Sequence, residues 1–291
     1  MTNAAEKRAP MGTLRALLAV LLALAALVAA QALALLLGEV LLGAGVPGPA
    51  CNVLTAALYA LLALGGVALL CRFVLRIPLA ALRIGRLWIH PVWVLAAFAL
   101  PTLVLAGALL AGGRWEIYRF DSQTVWLMVT GGVFYYGLAA GIVEEMVFRG
   151  VILGCLERRW NQKIAILVPS VLFGLVHLID APLDPLSAVQ LLTAGTIVGV
   201  LFSLITCQSG SVWNSALVHG VWNAAILGGI LHIGSAPDSA SMYNFVLSGA
   251  SFLLSGGDFG IEASILAIVP YLLGILLAVF LLHQGKKEGM A

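Results

Sequence analysis

Charge is what this chain has least of. Only 10% of its 291 residues are Asp, Glu, Lys or Arg, 62% are hydrophobic, and the mean hydropathy is +1.08. A soluble domain carries about 25% charged residues, so the composition excludes a water-soluble globule and describes an integral membrane protein. Cysteine is also scarce. Cys51, Cys71, Cys155 and Cys207 include no C-x-x-C pair and suggest no disulfide framework. The chain lacks an H-E-x-x-H zinc motif and any long-period repeat. A net charge of +2 gives no reason to expect a nucleic-acid partner. The expected partners on composition are membrane lipids.

What is present is a series of long apolar runs. About eight reach the roughly 20 residues needed to cross a hydrocarbon core, near 14–42, 53–72, 92–112, 124–143, 164–179, 186–206, 212–233 and 261–282. The fourth runs on past its acidic residues toward Leu156. The first follows a basic segment, but its apolar stretch is longer than a signal-peptide core, which favours a retained anchor. Most prolines fall in or beside the connections, while Pro169 and Pro270 lie inside spans and predict kinks.

Charge asymmetry orients the runs. With the N-terminus inside, the inner ends carry Lys7, Arg8, Arg15, Arg72, Arg76, Arg83, Arg86, Arg158, Arg159, Lys163, Lys286 and Lys287. The outer loops carry Arg114 and Arg119 against Glu116, Asp121, Asp180, Asp184, Asp238 and Asp258. The positive-inside rule then places both termini in the cytoplasm. The expected fold is all-α, a single polytopic transmembrane domain over 1–291 with about eight helices. Its Ala/Leu-rich composition fits the plasma membrane of a prokaryote. Residues 235–260 read as an outer loop with a short interfacial helix around 243–252, and Gly195-x-x-x-Gly199 reads as a close-packing face.

Against this background the polar residues inside the spans stand out. Glu144, Glu145 and Arg149 lie within six residues of one another in the fourth run. Each ionisable group costs about 2.5–3.5 kcal/mol at the centre of a membrane helix when unpaired. The i,i+4 spacing puts Glu145 and Arg149 on one helix stripe and Glu144 with Phe148 on the next. Phe173 and His177 repeat the spacing in the fifth run, and His219 and Asn223 in the seventh. At 1.5 Å per residue from the inner flanks, Glu144 and His177 each lie roughly 21 Å in, His219 roughly 12 Å and Asn223 roughly 18 Å. Three helices thus bring carboxylate, imidazole and amide to overlapping levels.

In order and spacing, Glu144-Glu145-x-x-x-Arg149, Phe173-x-x-x-His177 and His219-x-x-x-Asn223 resemble the motifs of the CPBP intramembrane proteases, the CAAX-protease or Abi family. The resemblance covers about 125–230, and Phe148-Arg149-Gly150 extends the first motif. It implies a glutamic endopeptidase that activates water without a metal or other cofactor and whose partner is a membrane-associated protein or peptide substrate. By motif, Glu144 is the general base, His177 orients or activates the water, and His219 and Asn223 donate to the developing oxyanion. Glu145 and Arg149 organise the charge around it, with the adjacent positions leaving open which Glu is the base. Phe148 and Phe173 read as packing residues that shape the site. The four polar residues are expected around one water-accessible cavity open toward the cytoplasm.

Three other readings share these residues. Glu144, Glu145, His177 and His219 are zinc-ligand types without zinc spacing. Cys155 is a nucleophile type with no base at helical spacing. Some members of the family are regulators or bacteriocin-immunity proteins, and intramembrane Glu, His and Arg also suit ion transport, although no repeated halves of broken helices are present.

Overall fold

The computed structural model describes residues 10–179, 182–249 and 251–288, without the side chains of the last three. Lys7, Arg8 and Asp180, and the side chains of Lys286 and Lys287, which contribute to the predicted asymmetry, lie outside the described residues.

Eight helical rods make up most of the described residues. They are α1 (Thr13–Gly43), α2 (Gly48–Leu75, ending in a π-helical turn), α3 (Pro91–Ala111), α4 (122–159), α5 (Gln162–Val176), α6 (Pro185–Ser209), α7 (Val212–Ile226) and α8 (Ile265–Glu288). Their starts follow local chemistry. Asp121, Asn161, Asp184 and Ser211 accept from backbone N–H groups in the first turns of α4, α5, α6 and α7. Pro91 and Pro185 stand at N1, where a missing N–H costs nothing. Among the described residues, α1, α2, α3, α6 and α8 are each long and apolar enough to cross a membrane. At 15 residues each, α5 and α7 measure about 22 Å. The predicted seventh run stops at Ile226 rather than 233. Helix α4 is continuous but alternates, with π-helical stretches at Gly131–Ala139 and Met146–Ile152 flanking α-helical Ala140–Glu145.

The all-α expectation needs correcting at one end. Three strands, β1 (Gly113–Ile117), β2 (Leu231–Gly234) and β3 (Tyr243–Leu247), form a sheet in the order β1-β3-β2. β3 runs antiparallel to β1 and parallel to β2. The interfacial helix expected at 243–252 is therefore a strand, and only Phe252–Ser255 is helical. Tyr-Asn-Phe-Val-Leu favours the pleated state, and Phe245 packs edge-on against Trp115 at 5.0 Å. Asn244, fully buried, accepts from the Asp238 N–H at 2.8 Å and donates to Ser241 O at 3.0 Å, fixing the loop before the strand.

The opposite end gathers arginines. Arg15 donates to Val74 O at 3.0 Å and to Leu75 O. Arg83 pairs with Glu157 at 2.8 Å, Arg158 donates to Ala81 O at 3.2 Å, and Arg159 to Thr13 Oγ1 at 2.7 Å. The ends of α1, α2 and α4 are thereby joined to the 76–90 connection. One end of the bundle is basic and the sheet end carries Asp121, Asp184, Asp238 and Asp258.

Glycines set the spacing between the rods that carry the polar motifs. A Cβ on Gly141 of α4 would lie 2.9 Å from the Cα and N of Gly220 in α7, and one on Gly137 would lie 2.9 Å from Gly220 O. Gly195 and Gly199 of α6 meet α5 in the same way, with Gly174 Cα at 2.8 Å and Ser170 Cα at 2.7 Å from the added carbon. The close-packing face expected of Gly195-x-x-x-Gly199 is observed. Backbone faces backbone at these sites, so neither side can yield by rotating a side chain. Gly141→Ala should lower stability by about 1–3 kcal/mol through overpacking. Gly65→Ala, where an added carbon meets nothing within 4 Å, should not. Thermal unfolding of both variants in detergent, followed by size-exclusion recovery, reads the difference; equal losses would contradict the close approach.

Candidate active site

Successive residues on a helix point about 100° apart, so Glu144 and Glu145 leave α4 in different directions. Glu145 enters the protein interior and is fully buried with Arg149, whose Nη1 donates to Glu145 Oε1 at 2.7 Å. The Arg149 Nη2 donates to Gly199 O at 3.2 Å, an acceptor brought within reach by the glycine packing of α6. Three rings surround the guanidinium, with Phe173, Phe202 and Phe148 at 4.6, 5.2 and 5.6 Å from its carbon. Phe148 and Phe173 thus do the packing that their positions suggested, and they do it around the buried charge.

The pair extends into α7. His219 Nδ1 lies 3.1 Å from Glu145 Oε1. A carboxylate that already accepts from Arg149 can only accept again, so Nδ1 carries the proton and donates. His219 Nε2 is then directed toward Glu144, with Oε2 at 3.8 Å. That is longer than a hydrogen bond and close enough for one water molecule to touch both. Phe202 stacks on the His219 ring at 4.8 Å and 16°, and Phe173 meets it edge-on at 5.7 Å. Partner and orientation of this imidazole are both fixed.

His177 stands at the C-terminal cap of α5. Its Nδ1 donates to Phe173 O at 2.7 Å, and its ring lies 4.7 Å from that of Phe173. Asn223 Nδ2 donates to Tyr136 O at 3.0 Å, tying α7 to α4 and orienting the amide.

Glu144, His177, His219 and Asn223 all line one cavity of about 290 Å³. Glu145 and Arg149 lie behind it. The cavity's direction differs from the expectation of an opening toward the basic, predicted cytoplasmic end. On α4 its lining runs from Glu144 back through Ala140 to Tyr135, whereas Met146–Ile152 on the basic side are all buried. On α7 it runs from His219 forward to Leu227. A second cavity of about 610 Å³ shares Tyr135, Tyr136 and Leu227 and continues to Gly48 and Gln123 at the sheet end. The packed π-helical turn closes the basic side, so the space extends the other way.

Glu262 and Trp222 are among the lining residues that sequence reasoning missed. Glu262, in the turn Ile261–Ala263 before α8, accepts from Trp222 Nε1 at 2.7 Å. Burial pushes its carboxyl above the ordinary carboxylate range, opposed by the Trp222 N–H and by the charges of His177 and His219. Its signal was present in the sequence as a lone acid at the start of the eighth apolar run, the kind of residue that marks function by default. Trp222 carried no signal beyond its aromatic type. Among the described residues no three His, Cys, Asp or Glu side chains are grouped as metal ligands. All four cysteines are free, and Cys155 is fully buried in the apolar core, away from the cavity.

Residues 122–225 match the family model of type II CAAX prenyl endopeptidase Rce1-like proteins. All eight motif residues lie inside the match, which begins with α4 and ends on α7, and Glu262 lies outside it. This is the family that the motifs resemble. Comparisons with curated proteins and with solved structures found no significant match.

Arg149→Ala should cost about 3–5 kcal/mol by leaving Glu145 buried and uncompensated. The double variant Glu145→Ala/Arg149→Ala should be less destabilised than the sum of the single variants. A double-mutant cycle on detergent unfolding midpoints measures the coupling, and strict additivity would refute a buried ion pair.

Proposed function

We propose that the protein is an intramembrane peptidase that hydrolyses peptide bonds of membrane-associated proteins or lipophilic peptides, with Glu144 as the base. The observation that carries this reading is the division of labour between adjacent carboxylates. Glu145 is committed to Arg149 and His219, while Glu144 faces the cavity with a side chain 20% exposed. The family match supports the class of reaction.

In the proposed reaction, water sits between the Glu144 carboxylate and the two imidazoles. Glu144 takes a proton as the water oxygen bonds to the substrate carbonyl carbon, and the carbonyl electron pair moves onto its oxygen. Asn223 keeps one Nδ2 hydrogen on Tyr136 O and offers the other to that oxyanion. His219 contributes from Nε2 when that nitrogen also carries a proton, since its Nδ1 proton is held by Glu145. Breaking the C–N bond returns the electron pair to nitrogen, which receives the proton from Glu144. No metal is needed in this scheme: a positioned base and preorganised donors supply the catalysis.

The proposed setting is a prokaryotic plasma membrane with both termini in the cytoplasm. This reading requires an even number of crossings, eight if each rod, including the short α5 and α7, crosses once. The basic end then faces the cytoplasm, and substrate reaches Glu144 from the sheet side through the space beneath Tyr135 and Tyr136. In a cysteine-free background, Ser239→Cys should react with a membrane-impermeant maleimide on intact cells. Gln162→Cys should react only after permeabilisation. The opposite pattern would invert the topology and the direction of access.

Folded Glu144→Gln and His177→Ala proteins should lack peptidase activity, and wild-type activity should survive chelation. Losing one oxyanion donor costs about 3 kcal/mol, so Asn223→Ala should lower kcat about a hundredfold with little change in KM. Size-exclusion behaviour establishes folding before kinetics. Wild-type turnover by Glu144→Gln, or activity lost to chelation and restored by zinc, would replace this mechanism with another.

A further inference from the structure

Lys and Arg are absent from the described lining of the catalytic cavity, although two carboxylates, Glu144 and Glu262, face it. Among the described residues the one nearby guanidinium, Arg149, is turned away onto Glu145 and Gly199 O. Glu262 is set among aromatic rings. Trp222 Nε1 donates to its Oε1, Trp222 and Tyr271 lie 4.9 Å apart between ring centres, and the Tyr271 hydroxyl donates to the Glu262 backbone carbonyl at 3.4 Å. One indole N–H satisfies a small part of a carboxylate's acceptor capacity. An ion kept in such surroundings calls for a counterion.

We propose that Glu262, with the rings of Trp222 and Tyr271, forms a subsite for a cationic side chain of the substrate, a lysine ammonium or arginine guanidinium near the scissile bond. The chemistry is a charge-assisted hydrogen bond to the carboxylate combined with attraction to aromatic faces. Burial disfavours the ionised form of Glu262, and a bound cation offsets that cost where a neutral group does not. The subsite therefore discriminates by charge rather than by size. The His177 and His219 rings across the cavity do not supply this partner permanently, because both are engaged through Nδ1 in orienting bonds and belong to the water-activating group.

The inference rests on the peptidase reading for its substrate, so its test separates the two. Full-length Glu144→Gln protein in detergent is titrated with a set of lipophilic peptides in which one lysine is walked along the chain. Each peptide is matched by a norleucine version, and hydrolysis of the same set is followed with Glu144 intact. At one register lysine should bind about tenfold tighter than norleucine. Glu262→Gln keeps the acceptor for Trp222 and should bring that ratio close to one. A purely structural Glu262 would shift both peptides together and leave the ratio unchanged. Equal binding of lysine and norleucine at every register, or a preference that survives Glu262→Gln, overturns the subsite. A Glu262-dependent preference without hydrolysis by the Glu144-intact protein upholds the subsite and removes the peptidase reading. Hydrolysis without preference does the reverse.

Discussion

The fully buried pair of Glu145 and Arg149 is the constraint on which the centre of this bundle depends. Two ions removed from water depend on each other and on further hydrogen bonds, and the surrounding helices supply part of these, leaving Glu145 Oε2 and Arg149 Nε without a partner among the described residues. The guanidinium needs Gly199 O, which only a glycine-faced α6 can bring close. The carboxylate needs His219 Nδ1, which requires α7 to approach α4 at Gly220. The glycine contacts, the aromatic sleeve and the orientation of one imidazole are therefore linked consequences of a single charge placed in an apolar core.

Helix α4 reconciles this demand with the cavity. Its α-helical stretch Ala140–Glu145 lies between two π-helical stretches, an arrangement frequent at functional sites. On the basic side of Glu145 every side chain through Ile152 is buried. On the other side, Tyr135, Tyr136 and Ala140 face open space. The carboxylates therefore mark the boundary between a sealed half and a hollow half of the bundle. Access follows from which half is hollow, and the motif residues alone do not reveal it.

Much of the site was legible in the sequence because burying charge in a membrane is costly and only a few residues bear that cost. Glu144, Glu145, Arg149, His177, His219 and Asn223 stood out against a chain of Leu, Ala and Val, and i,i+4 spacing paired Glu145 with Arg149 and Phe173 with His177. The five long helices followed from hydropathy. The sheet was not legible: β1 at 113–117 pairs with β3 at 243–247 across more than a hundred residues, which leaves no local pattern, and the parallel pairing of β2 with β3 carries no hairpin-turn signal. The shortness of α7 was hidden for a related reason, since Leu231 and Ile233 are as apolar in a strand as in a helix. Glu262 escaped because it sits singly beside a span, and its partner Trp222 is forty positions away.

Adjacent glutamates of identical chemistry acquire different roles through geometry alone. A base must be able to gain and lose a proton beside the substrate, and protonating Glu145 would strand Arg149 in an apolar shell and release His219. Those two bonds commit Glu145 to holding its neighbours in place. Glu144 makes no such bond, faces the cavity, and stands 3.8 Å from an imidazole whose other nitrogen is already held. The more deeply buried carboxylate is thus the less available for chemistry. Its contribution is to hold fixed the imidazole that its exposed neighbour faces.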